Sequence, residues 1–438
     1  MQNKEQTNRN FYGLGIAPGI LGILDKLAFT VPTPIQYKAI PIAIEGKDII
    51  GIAQTGTGKT LAFGIPMMQR LAQIRGRGLI LVPTRELAVQ VNEALEIFTH
   101  ELKMNTAVLI GGENMMLQVL ALRKNPRIII ATPGRLIDHV GQQRVRLDDV
   151  QVLVLDEADR MLDMGFAPQI ERIIRLIPRE RQTMLFSATM PPKIVSIASE
   201  YMQLPVRTEI SQAGTACELV SQEVFIVQKE LKTKLLEKLL EQYTGTVLLF
   251  SRTKIGAHKI TRLIKAMGHR VAEIHADRSL LQRREALEGF KTGKYRILVA
   301  TDIAARGIDV IGIELVLNYD LPDDPDNYVH RIGRTGRAGQ EGHAIALATP
   351  DQGHDVRAIE KLIRTTIPVG KHPGVPAELF DYNAPKPSLR HGRGGSSSGR
   401  GSSSGSSRGH SYSGRPSSGS SGSGGRSQHR PKPSSYSR

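Results

Sequence analysis

Short apolar runs rich in β-branched residues alternate with helical patterns along most of this chain of 438 residues. Such alternation is typical of a parallel sheet that is covered by helices on both faces. The alternation stops at a polar passage near residue 210 and then restarts, which predicts two α/β lobes joined by a short linker. The predicted strands are residues 48–53, 78–82, 127–131, 152–155 and 184–186 in the first lobe, and 247–250, 271–275, 296–300, 314–318 and 344–348 in the second.

The positive charge of the chain is concentrated at its C-terminal end. From Lys386 onward there are ten Lys or Arg and no Asp or Glu, within a formal net charge of +16 for the whole chain. A segment of Ser, Gly and Arg cannot bury enough apolar surface to offset the entropy of ordering, so we expect a disordered tail. A basic balance of this size favours a polyanionic partner such as nucleic acid.

Other features of the composition favour a cytoplasmic protein. No stretch reaches the roughly 20 apolar residues that a membrane-spanning helix needs, so no membrane partner is expected. The first ten residues are polar and lack the apolar core of a signal peptide. The single cysteine, Cys217, excludes an intrachain disulfide framework and suits a reducing compartment. Its polar surroundings contain no His nearby in sequence, which predicts an inert thiol.

A glycine-rich run follows the first predicted strand and precedes a helical pattern. This context is typical of a phosphate-binding loop, in which backbone N–H groups and a helix N-terminus converge on phosphate oxygens. Lys59 would reach the β- and γ-phosphates, and the Thr60 hydroxyl would ligate Mg²⁺. The alternative is a glycine-rich connection that binds nothing. The predicted loop residues are Ala53, Gln54, Thr55, Gly56, Thr57, Gly58, Lys59 and Thr60.

Two acidic residues, Asp156 and Glu157, stand at the end of the apolar run 152–155. This is the edge of an α/β sheet at which ligands bind. Asp156 would hold Mg²⁺ directly or through water, and Glu157 would orient or deprotonate an attacking water. The alternative is a solvated loop or a helix start.

The run Asp-Glu-Ala-Asp at 156–159, with AQTGTGKT upstream at 53–60, resembles the DEAD-box helicase family. The resemblance extends over residues 11–367. It implies two RecA-like parallel-sheet domains in tandem that hydrolyse ATP in response to RNA. The predicted organisation is a flexible N-terminus at 1–10, a first RecA-like domain at 11–207, a linker at 208–218, a second RecA-like domain at 219–368, and an extension with the basic tail at 369–438.

The resemblance also implies an adenine-reading element at residues 29–36. Phe29 begins this element, and Gln36 would present its amide to both the donor and the acceptor edges of adenine. Phe11 lies at the distance expected for an aromatic residue that stacks on the base, and a core contact is the alternative. The family usually has Gly before Phe29, whereas this chain has Ala28.

Ser187 and Thr189 resemble the family's element that links hydrolysis to strand separation. Their hydroxyls would hydrogen-bond Asp159, and His330 of the second lobe would bridge toward this element. The alternatives are a helix N-cap for the Ser-Ala-Thr triplet and a structural role for the histidine.

Several loops that follow strands resemble the family's contacts with the RNA backbone. Contacts to phosphates read no sequence, and contacts to 2′-hydroxyls would select RNA over DNA. Ordinary turn chemistry is the alternative for each loop. The residues that the resemblance assigns to RNA are Pro83, Thr84, Arg85, Gly111, Gly112, Thr132, Pro133, Gly134, Arg135, Arg252, Thr301 and Gly307.

The basic run at 330–337 would complete the ATP site from the second lobe. Arg334 and Arg337 resemble arginine fingers, whose planar guanidinium groups can converge on one triphosphate. Asp309 would lie at the ribose. A solvated helix face is the alternative for the basic run.

One departure from the family pattern falls in the helix that leads to Phe290. The family commonly has Gln three residues before an Arg there. This chain has Leu280 and Arg283 at those positions, with Gln282 out of register. Arg283 is still expected to contribute at the lobe interface.

The resemblance implies RNA-stimulated ATP hydrolysis that drives local unwinding of duplex RNA, or remodelling of RNA–protein complexes, by a monomeric core. An ATP-gated RNA clamp or annealing chaperone is the nonenzymatic alternative, and a DNA helicase on the same scaffold is the enzymatic one. The compact core and Arg-rich tail are similar to the bacterial RhlE-type branch. That likeness suggests roles in ribosome assembly or RNA turnover, with ribosomal or RNA-degradation complexes as partners.

Overall fold

The computed structural model describes residues 10–54, 56–210, 220–305, 310, 312–336 and 341–382. These residues belong to one compact unit and form two parallel-sheet α/β lobes in tandem, which confirms the predicted fold class. The predicted disordered tail, most of the predicted linker and Cys217 lie outside the described residues.

The first lobe is built on a seven-stranded sheet. Its strands are β1 (Ile49–Ile52), β2 (Arg77–Leu81), β3 (Thr106–Leu109), β4 (Ile128–Ala131), β5 (Val150–Leu155), β6 (Gln182–Ser187) and β7 (Val206–Glu209). They pair in parallel in the order β3-β4-β2-β5-β6-β1-β7. Its helices are α1 (Pro18–Lys26), α2 (Pro34–Ile44), α3 (Lys59–Gln73), α4 (Arg85–Glu101), α5 (Met115–Arg123), α6 (Pro133–Gly141), α7 (Ala158–Asp163), α8 (Ala167–Leu176) and α9 (Pro192–Tyr201).

The second lobe is built on a six-stranded sheet. Its strands are β8 (Val220–Ile226), β9 (Val247–Phe250), β10 (Val271–Ile274), β11 (Ile297–Ala300), β12 (Leu315–Asn318) and β13 (Gly342–Ala348). They pair in parallel in the order β10-β11-β9-β12-β13-β8. Its helices are α10 (Lys232–Gln242), α11 (Lys254–Ala266), α12 (Leu280–Lys291), α13 (Asp302–Ala305), α14 (Pro325–Ile332) and α15 (Gly353–Ile363).

Three strands, β3, β7 and β8, were not predicted from the apolar runs. Each is an edge strand, and each carries several half-buried or exposed residues. An edge strand is covered less completely than a central one, so its residues need not be continuously apolar. β7 runs to Glu209 and therefore overlaps the first two residues of the segment predicted as linker.

The central strands read as unbroken apolar runs because both of their faces are buried. Successive side chains of a strand point to opposite faces of its sheet. In β5, Val152 and Val154 belong to one core cluster, whereas Leu153 and Leu155 belong to a second. In the second lobe the residues of β9 alternate in the same way between two clusters.

The strand order divides the carboxyl edge of the first-lobe sheet into two regions. In the first lobe, the loops after β5, β6 and β1 are neighbours and carry Asp156, Ser187 and the glycine-rich run. The loops after β3, β4 and β2 are also neighbours and carry the three segments predicted to contact RNA. Ligands of open α/β sheets bind at this edge, so the topology separates two candidate sites on one lobe.

Residues that follow the second lobe cover its edge strand. The carbonyl of Pro368 accepts a hydrogen bond of 2.9 Å from Val224 N–H, and Gly370 N–H donates to the Val224 carbonyl at 2.8 Å. Farther along, the Arg357 guanidinium lies 3.6 Å from the ring centre of Tyr382. Covering an edge in this way removes a row of unpaired backbone groups.

Within the described part of the chain, no helix combines the length and apolar character that crossing a membrane requires.

Candidate active site

The glycine-rich run joins β1 to α3 and brings a buried cation to a helix N-terminus. Gly56 and Gly58 have φ values of +82° and +87°, a conformation that glycine adopts without steric cost. Gly58 is the N-cap of α3. The Lys59 ammonium is buried, donates to the Ala53 carbonyl at 3.1 Å and lies 3.8 Å from Oδ1 of Asp156. A cation and free helical N–H groups at one place suit a phosphate.

Two other predicted residues of this run, Thr57 and Thr60, lie at the start of α3. Thr57 Oγ1 donates to the Gln54 carbonyl at 2.7 Å, which closes the turn before the helix. Thr60 lies in the first turn of α3, directly after Lys59. Thr55 lies outside the described residues.

Gln36 connects the predicted adenine-reading element to the phosphate loop. Its Oε1 accepts a hydrogen bond from Thr33 N–H at 2.9 Å, and its Nε2 donates to the Gly58 carbonyl at 3.0 Å. A side-chain amide has two donor hydrogens and two acceptor lone pairs, so one of each remains for an adenine edge. Phe29 is 45% exposed and accessible to a base, whereas Phe11 is 3% exposed within the first-lobe core. Phe11 therefore makes the core contact that was its alternative, and stacking by Phe11 stays a prediction.

Asp156 and Glu157 are both buried at the end of β5. Burial raises the pKa of Asp156 to about 6, although Lys59 acts in the opposite direction. Burial would also raise the pKa of Glu157, but Arg160, Lys59 and Arg334 outweigh it and hold that pKa below its ordinary value. Arg160 Nη1 donates to Glu157 Oε2 at 2.8 Å. Glu157 is thus ionised at neutral pH, as a proton acceptor must be.

The backbone at Glu157 is strained. Its φ of +51° and ψ of +49° place a non-glycine residue in the left-handed region. Such conformations typically cost about 1–3 kcal/mol and cluster at functional sites. Glu157 Oε1 is buried and has no hydrogen-bond partner among the described residues, so it can accept a hydrogen bond from a water or a ligand.

The donor set fits a Mg²⁺ ion that binds together with a nucleotide. Mg²⁺ usually takes one or two carboxylates and completes its shell with waters and substrate phosphates. Asp156 offers a carboxylate and Thr60 a hydroxyl at the same sheet edge. Across the described residues, no group of three or more His, Cys, Asp or Glu side chains could hold a metal ion without a substrate.

A hydrogen-bonded network joins the end of β6 to the start of α7. Asp159 Oδ2 accepts from the N–H groups of Ala188 and Thr189 at 3.1 and 2.8 Å, and from the Thr189 hydroxyl at 3.0 Å. The Ser187 hydroxyl accepts from Asp159 N–H at 3.2 Å and donates to the Thr189 carbonyl at 2.7 Å. Both hydroxyls therefore contact Asp159, Ser187 through the backbone and Thr189 through the carboxylate.

The second lobe brings Arg334 and His330 to the edge of this site. Arg334 is buried, and its Nε donates to the His330 carbonyl at 3.2 Å. A Cβ atom at Gly333 would lie 4.0 Å from Oε1 of Gln54, so this turn adjoins the phosphate loop. A small pocket between the lobes is lined by Arg160 of the first lobe and by Phe250, Asp302, Asn327, His330, Arg331 and Arg334 of the second. The predicted site residues Arg337 and Asp309 lie outside the described residues.

Arg331 is a functional candidate that the sequence reasoning missed. Its guanidinium is buried and pairs with Asp302 through two hydrogen bonds of 2.5 and 2.7 Å. It also donates to Asn318 Oδ1 at 2.9 Å and lies 5.0 Å from the ring centre of Phe250. Arg331 therefore ties α14 to the ends of β9, β11 and β12. The basic run at 330–337 contained the signal, but a run of arginines does not reveal which one points inward.

The predicted RNA loops of the first lobe lie against one another. The Arg85 guanidinium contacts Gly111 and Gly112, and a Cβ atom at Gly111 would lie 3.2 Å from Arg85 Nη2. Arg135 Nη1 donates to the Glu113 carbonyl at 3.4 Å. Four of the remaining predicted residues open helices: Thr84 is the N-cap of α4, Thr132 is the N-cap of α6, and Pro133 and Gly134 are the first residues of α6. Pro83 precedes Thr84.

The described residues include only part of the second-lobe loops that are predicted to contact RNA. Arg252 N–H donates to Asp320 Oδ2 at 3.0 Å, and its Nε lies 3.3 Å from Asp323 Oδ1. Thr301 follows β11 and begins the turn into α13. Gly307 lies outside the described residues.

Arg283 contacts the first lobe, which confirms its expected contribution at the interface. Its Nη2 lies 2.7 Å from Glu86 Oε2, and both side chains are buried. Gln282 instead forms a capping box with Ser279 at the start of α12.

The chain matches known protein families over more than half of its length. A model described as DEAD/DEAH box helicase matches residues 33–197, and one described as Helicase conserved C-terminal domain matches residues 231–339. An ATP-dependent RNA helicase CshA from Listeria monocytogenes is 43% identical over 354 residues, which cover 80% of this chain and 68% of the relative. An ATP-dependent rRNA helicase RRP3 from Yarrowia lipolytica is 43% identical over 352 residues, which cover 80% of this chain and 73% of the relative.

Solved structures of the same architecture include nucleotide and RNA complexes. S. cerevisiae Dbp5 bound to RNA and ADP BeF3 matches with a TM-score of 0.75 at 29% identity, over 83% of this chain and 95% of that one. Mss116p bound to ssRNA and AMP-PNP matches with a TM-score of 0.76 at 28% identity, over 82% of this chain and 78% of that one. The RhlE-type branch stays a prediction. The catalytic motifs on two RecA-like lobes and the identity to these relatives lead to one conclusion: this chain belongs to the DEAD-box family of ATP-dependent RNA helicases.

Proposed function

We propose that this chain hydrolyses ATP at the boundary of its two lobes and uses that cycle to separate short RNA duplexes locally. The observation that carries the proposal is geometric: Arg334, on the second lobe, lines the same small pocket as Arg160, on the first, and Arg160 donates a hydrogen bond of 2.8 Å to Glu157. Because each lobe carries half of the catalytic residues, hydrolysis depends on closure of the lobes. The matched Dbp5 and Mss116p structures carry RNA together with a nucleotide, which supports this assignment.

Within this cycle the residues of the first lobe bind and orient the triphosphate. Lys59 and the N–H groups of the loop neutralise phosphate charge, while Gln36 and the exposed Phe29 select adenine. Mg²⁺, held by Asp156 and Thr60, would supply charge neutralisation for the phosphates. Glu157 accepts a proton from the attacking water, and its unpaired Oε1 is suited to that contact.

Arg334 completes the site when the lobes are closed. Arginine fingers of this type typically raise hydrolysis by about 10³–10⁵ because they stabilise charge on the transferred phosphoryl group. Arg337, the second predicted finger, and Asp309, predicted at the ribose, would add to this half of the site. The network of Asp159 with Ser187 and Thr189 would carry the state of the γ-phosphate toward the RNA-facing loops.

RNA binds along the loops after β2, β3 and β4 of the first lobe and after β9 and β11 of the second. Backbone N–H groups, hydroxyls and the arginines Arg85, Arg135 and Arg252 contact phosphates there without reading sequence. Clamping one strand in a path that an A-form duplex cannot follow displaces the other strand. The relatives named as rRNA helicases support structured ribosomal RNA as a substrate class.

The basic tail adds salt-sensitive affinity for RNA. Deleting the chain from Lys386 onward should weaken RNA binding and flatten its dependence on salt, while basal ATP hydrolysis stays unchanged. A deletion that leaves both the affinity and its salt dependence unaltered would reduce the tail to a solubilising segment.

The first experiment is steady-state ATP hydrolysis by the full chain, measured without nucleic acid, with single-stranded RNA, and with DNA of the same sequence. We expect strong stimulation by RNA alone. Equal stimulation by DNA would indicate a general helicase, and no stimulation would favour a clamp or annealing chaperone. Unwinding yield should also fall as the duplex grows from one helical turn to several, whereas a constant yield would contradict local unwinding.

A further inference from the structure

A buried glutamine holds the first peptide group after β3 in the first lobe. The ladder between β3 and β4 ends where the Leu109 carbonyl accepts a hydrogen bond of 3.0 Å from Thr132 N–H. The next carbonyl along the chain, that of Ile110, accepts instead from Nε2 of Gln118 at 2.8 Å. Gln118 lies on α5 and is 3% exposed, so its amide takes the place of a strand partner for a buried carbonyl.

His139, on α6, fixes the direction in which this amide points. Its Nε2 lies 3.0 Å from Gln118 Oε1, and the residue is completely buried. A carbonyl oxygen can only accept, so the NH₂ group of Gln118 must face Ile110 and its oxygen must face His139. His139 is therefore the tautomer with a proton on Nε2, and its Nδ1 has no hydrogen-bond partner among the described residues. Burial, with Arg135 and Arg144 nearby, lowers the pKa of His139 and favours the neutral ring.

The orientation of the Ile110 carbonyl sets the direction of the next N–H group. A trans peptide group is planar, so its C=O and N–H bonds point in opposite directions. Because the Ile110 carbonyl points toward the buried Gln118, the N–H of Gly111 points away from the core. No described residue accepts a hydrogen bond from the N–H of Gly111 or of Gly112, and the Arg85 guanidinium lies against both glycines. Outward N–H groups beside a guanidinium suit a phosphate oxygen.

The same pair of side chains joins two of the loops proposed to bind RNA. Gln118 lies on the helix that follows the loop after β3, and His139 lies on the helix that follows the loop after β4. Arg135, one helical turn before His139, donates to the Glu113 carbonyl at 3.4 Å and links the same two loops a second time. The buried contact and the Arg135 contact therefore hold both loops in one arrangement.

We infer that Gln118 and His139 are positioning residues for RNA: Gln118 turns the Gly111 N–H toward an RNA phosphate, and His139 holds the Gln118 amide in that orientation. The inference deepens the proposed function and rests on its assignment of RNA to these loops. Both residues are buried, so each acts through the loop and not by touching RNA. The alternative is a pair that only satisfies buried polar groups and maintains the fold.

The test measures RNA affinity in the full chain. Gln118→Met keeps the length of the side chain but removes its donor and its acceptor, so the Ile110 peptide group is no longer fixed. With a nonhydrolysable ATP analogue present, this variant should bind a labelled single-stranded RNA roughly tenfold more weakly in fluorescence anisotropy, the scale of one lost hydrogen bond to a charged group. The matched control is Gln142→Met, because Gln142 is exposed at the end of α6 and should bind RNA as the unmodified chain does.

A double variant separates positioning from stability. Gln118→Met leaves the Nε2–H group of His139 buried without an acceptor, which should lower the melting temperature. Adding His139→Phe removes that group and should recover part of the stability, but the Ile110 carbonyl stays unheld. The double variant should therefore melt at a higher temperature than Gln118→Met and still bind RNA roughly tenfold more weakly than the unmodified chain. If its RNA affinity returned together with its melting temperature, the pair would only maintain the fold and the inference would be overturned.

Steady-state kinetics provide a further readout. Gln118→Met should raise the KM for single-stranded RNA by roughly tenfold and change kcat at saturating RNA by less than about twofold. A lower kcat with an unchanged KM would contradict a role in RNA positioning. Should Gln118→Met fail to fold, the double variant carries both measurements with the same expected results.

Failure of this inference differs from failure of the proposed function. If Gln118→Met and Gln142→Met bind RNA equally tightly, the inference fails and the proposed function stands. If the unmodified chain binds RNA but does not separate duplexes, the proposed function fails, and the comparison of affinities still decides whether Gln118 positions the loop.

Discussion

The Arg160 guanidinium donates a hydrogen bond of 2.8 Å to the carboxylate of Glu157, and both side chains are buried. A buried carboxyl would ordinarily have a raised pKa. Together with Lys59 and Arg334, Arg160 outweighs burial and keeps Glu157 ionised. The pair therefore keeps a proton acceptor charged in a site from which water is largely excluded.

Replacing Glu157 with Gln should abolish turnover and preserve nucleotide binding. The amide keeps the size of the side chain but cannot accept a proton, so hydrolysis should fall by roughly 10²–10⁴. Single-turnover hydrolysis and binding of a nonhydrolysable ATP analogue measure the two quantities. The surface variant Glu96→Gln serves as the control, and near-normal turnover by Glu157→Gln would remove this residue from the catalytic step.

Arg334→Ala should lower kcat by about 10³–10⁵ because it removes the charge that the second lobe supplies. Nucleotide affinity should change much less, since Lys59 and the phosphate loop lie on the first lobe. Steady-state kinetics with saturating RNA provide the measurement, with Arg262→Ala on the exposed surface of α11 as the matched control. Equal losses in the two variants would contradict the finger assignment.

Binding of Mg²⁺ with nucleotide should weaken as pH falls through about 6. Burial raises the pKa of Asp156 to about 6, and only the ionised carboxylate can serve the metal. Below that pKa, affinity should decrease by up to about tenfold per pH unit. Titrations of nucleotide with Mg²⁺ from pH 5 to pH 8 test this, with EDTA samples and Asp156→Asn as controls that should lack the step. A flat profile in the unmodified protein would exclude Asp156 as the titrating ligand.

Thr189→Ala should separate ATP hydrolysis from unwinding. It removes the 3.0 Å hydrogen bond from the Thr189 hydroxyl to Asp159, while the backbone contacts to that carboxylate remain. We expect RNA-stimulated hydrolysis within a few-fold of normal and a larger loss of strand separation, measured on a short duplex. Ser187→Ala should act similarly, because it removes the acceptor of Asp159 N–H. If ATP hydrolysis and strand separation fell by the same factor, the network would instead serve to maintain the fold.

Gly58→Ala should disrupt the phosphate loop. The φ of +87° at Gly58 costs a non-glycine residue about 1–2 kcal/mol, and the added Cβ atom would lie 2.5 Å from Gln36 Nε2. Nucleotide affinity should therefore fall sharply, as measured by fluorescence titration with a labelled nucleotide. Gly141→Ala is the control, because nothing lies within 4 Å of its Cβ position. Unchanged affinity in Gly58→Ala would show that the loop tolerates the side chain.

Local sequence was sufficient to predict the elements whose chemistry depends on neighbours in the chain. The spacing and apolar character of the residues alone predict three features. These are the glycine-rich run, the acids after β5 and the two series of apolar strands. The edge strands β3, β7 and β8 were missed, because strands buried less completely do not form continuous apolar runs.

The sequence by itself determined two α/β lobes, the phosphate loop and the acidic strand end, since each depends on residues within a few positions of one another. Only the tertiary structure decided that β5, β6 and β1 are neighbours, that Arg331 points inward to Asp302, and that Leu280 packs in the core of the other lobe. These relationships join residues 29 to nearly 200 positions apart. Contacts over such separations depend on how whole sheets and lobes pack, which no local pattern encodes.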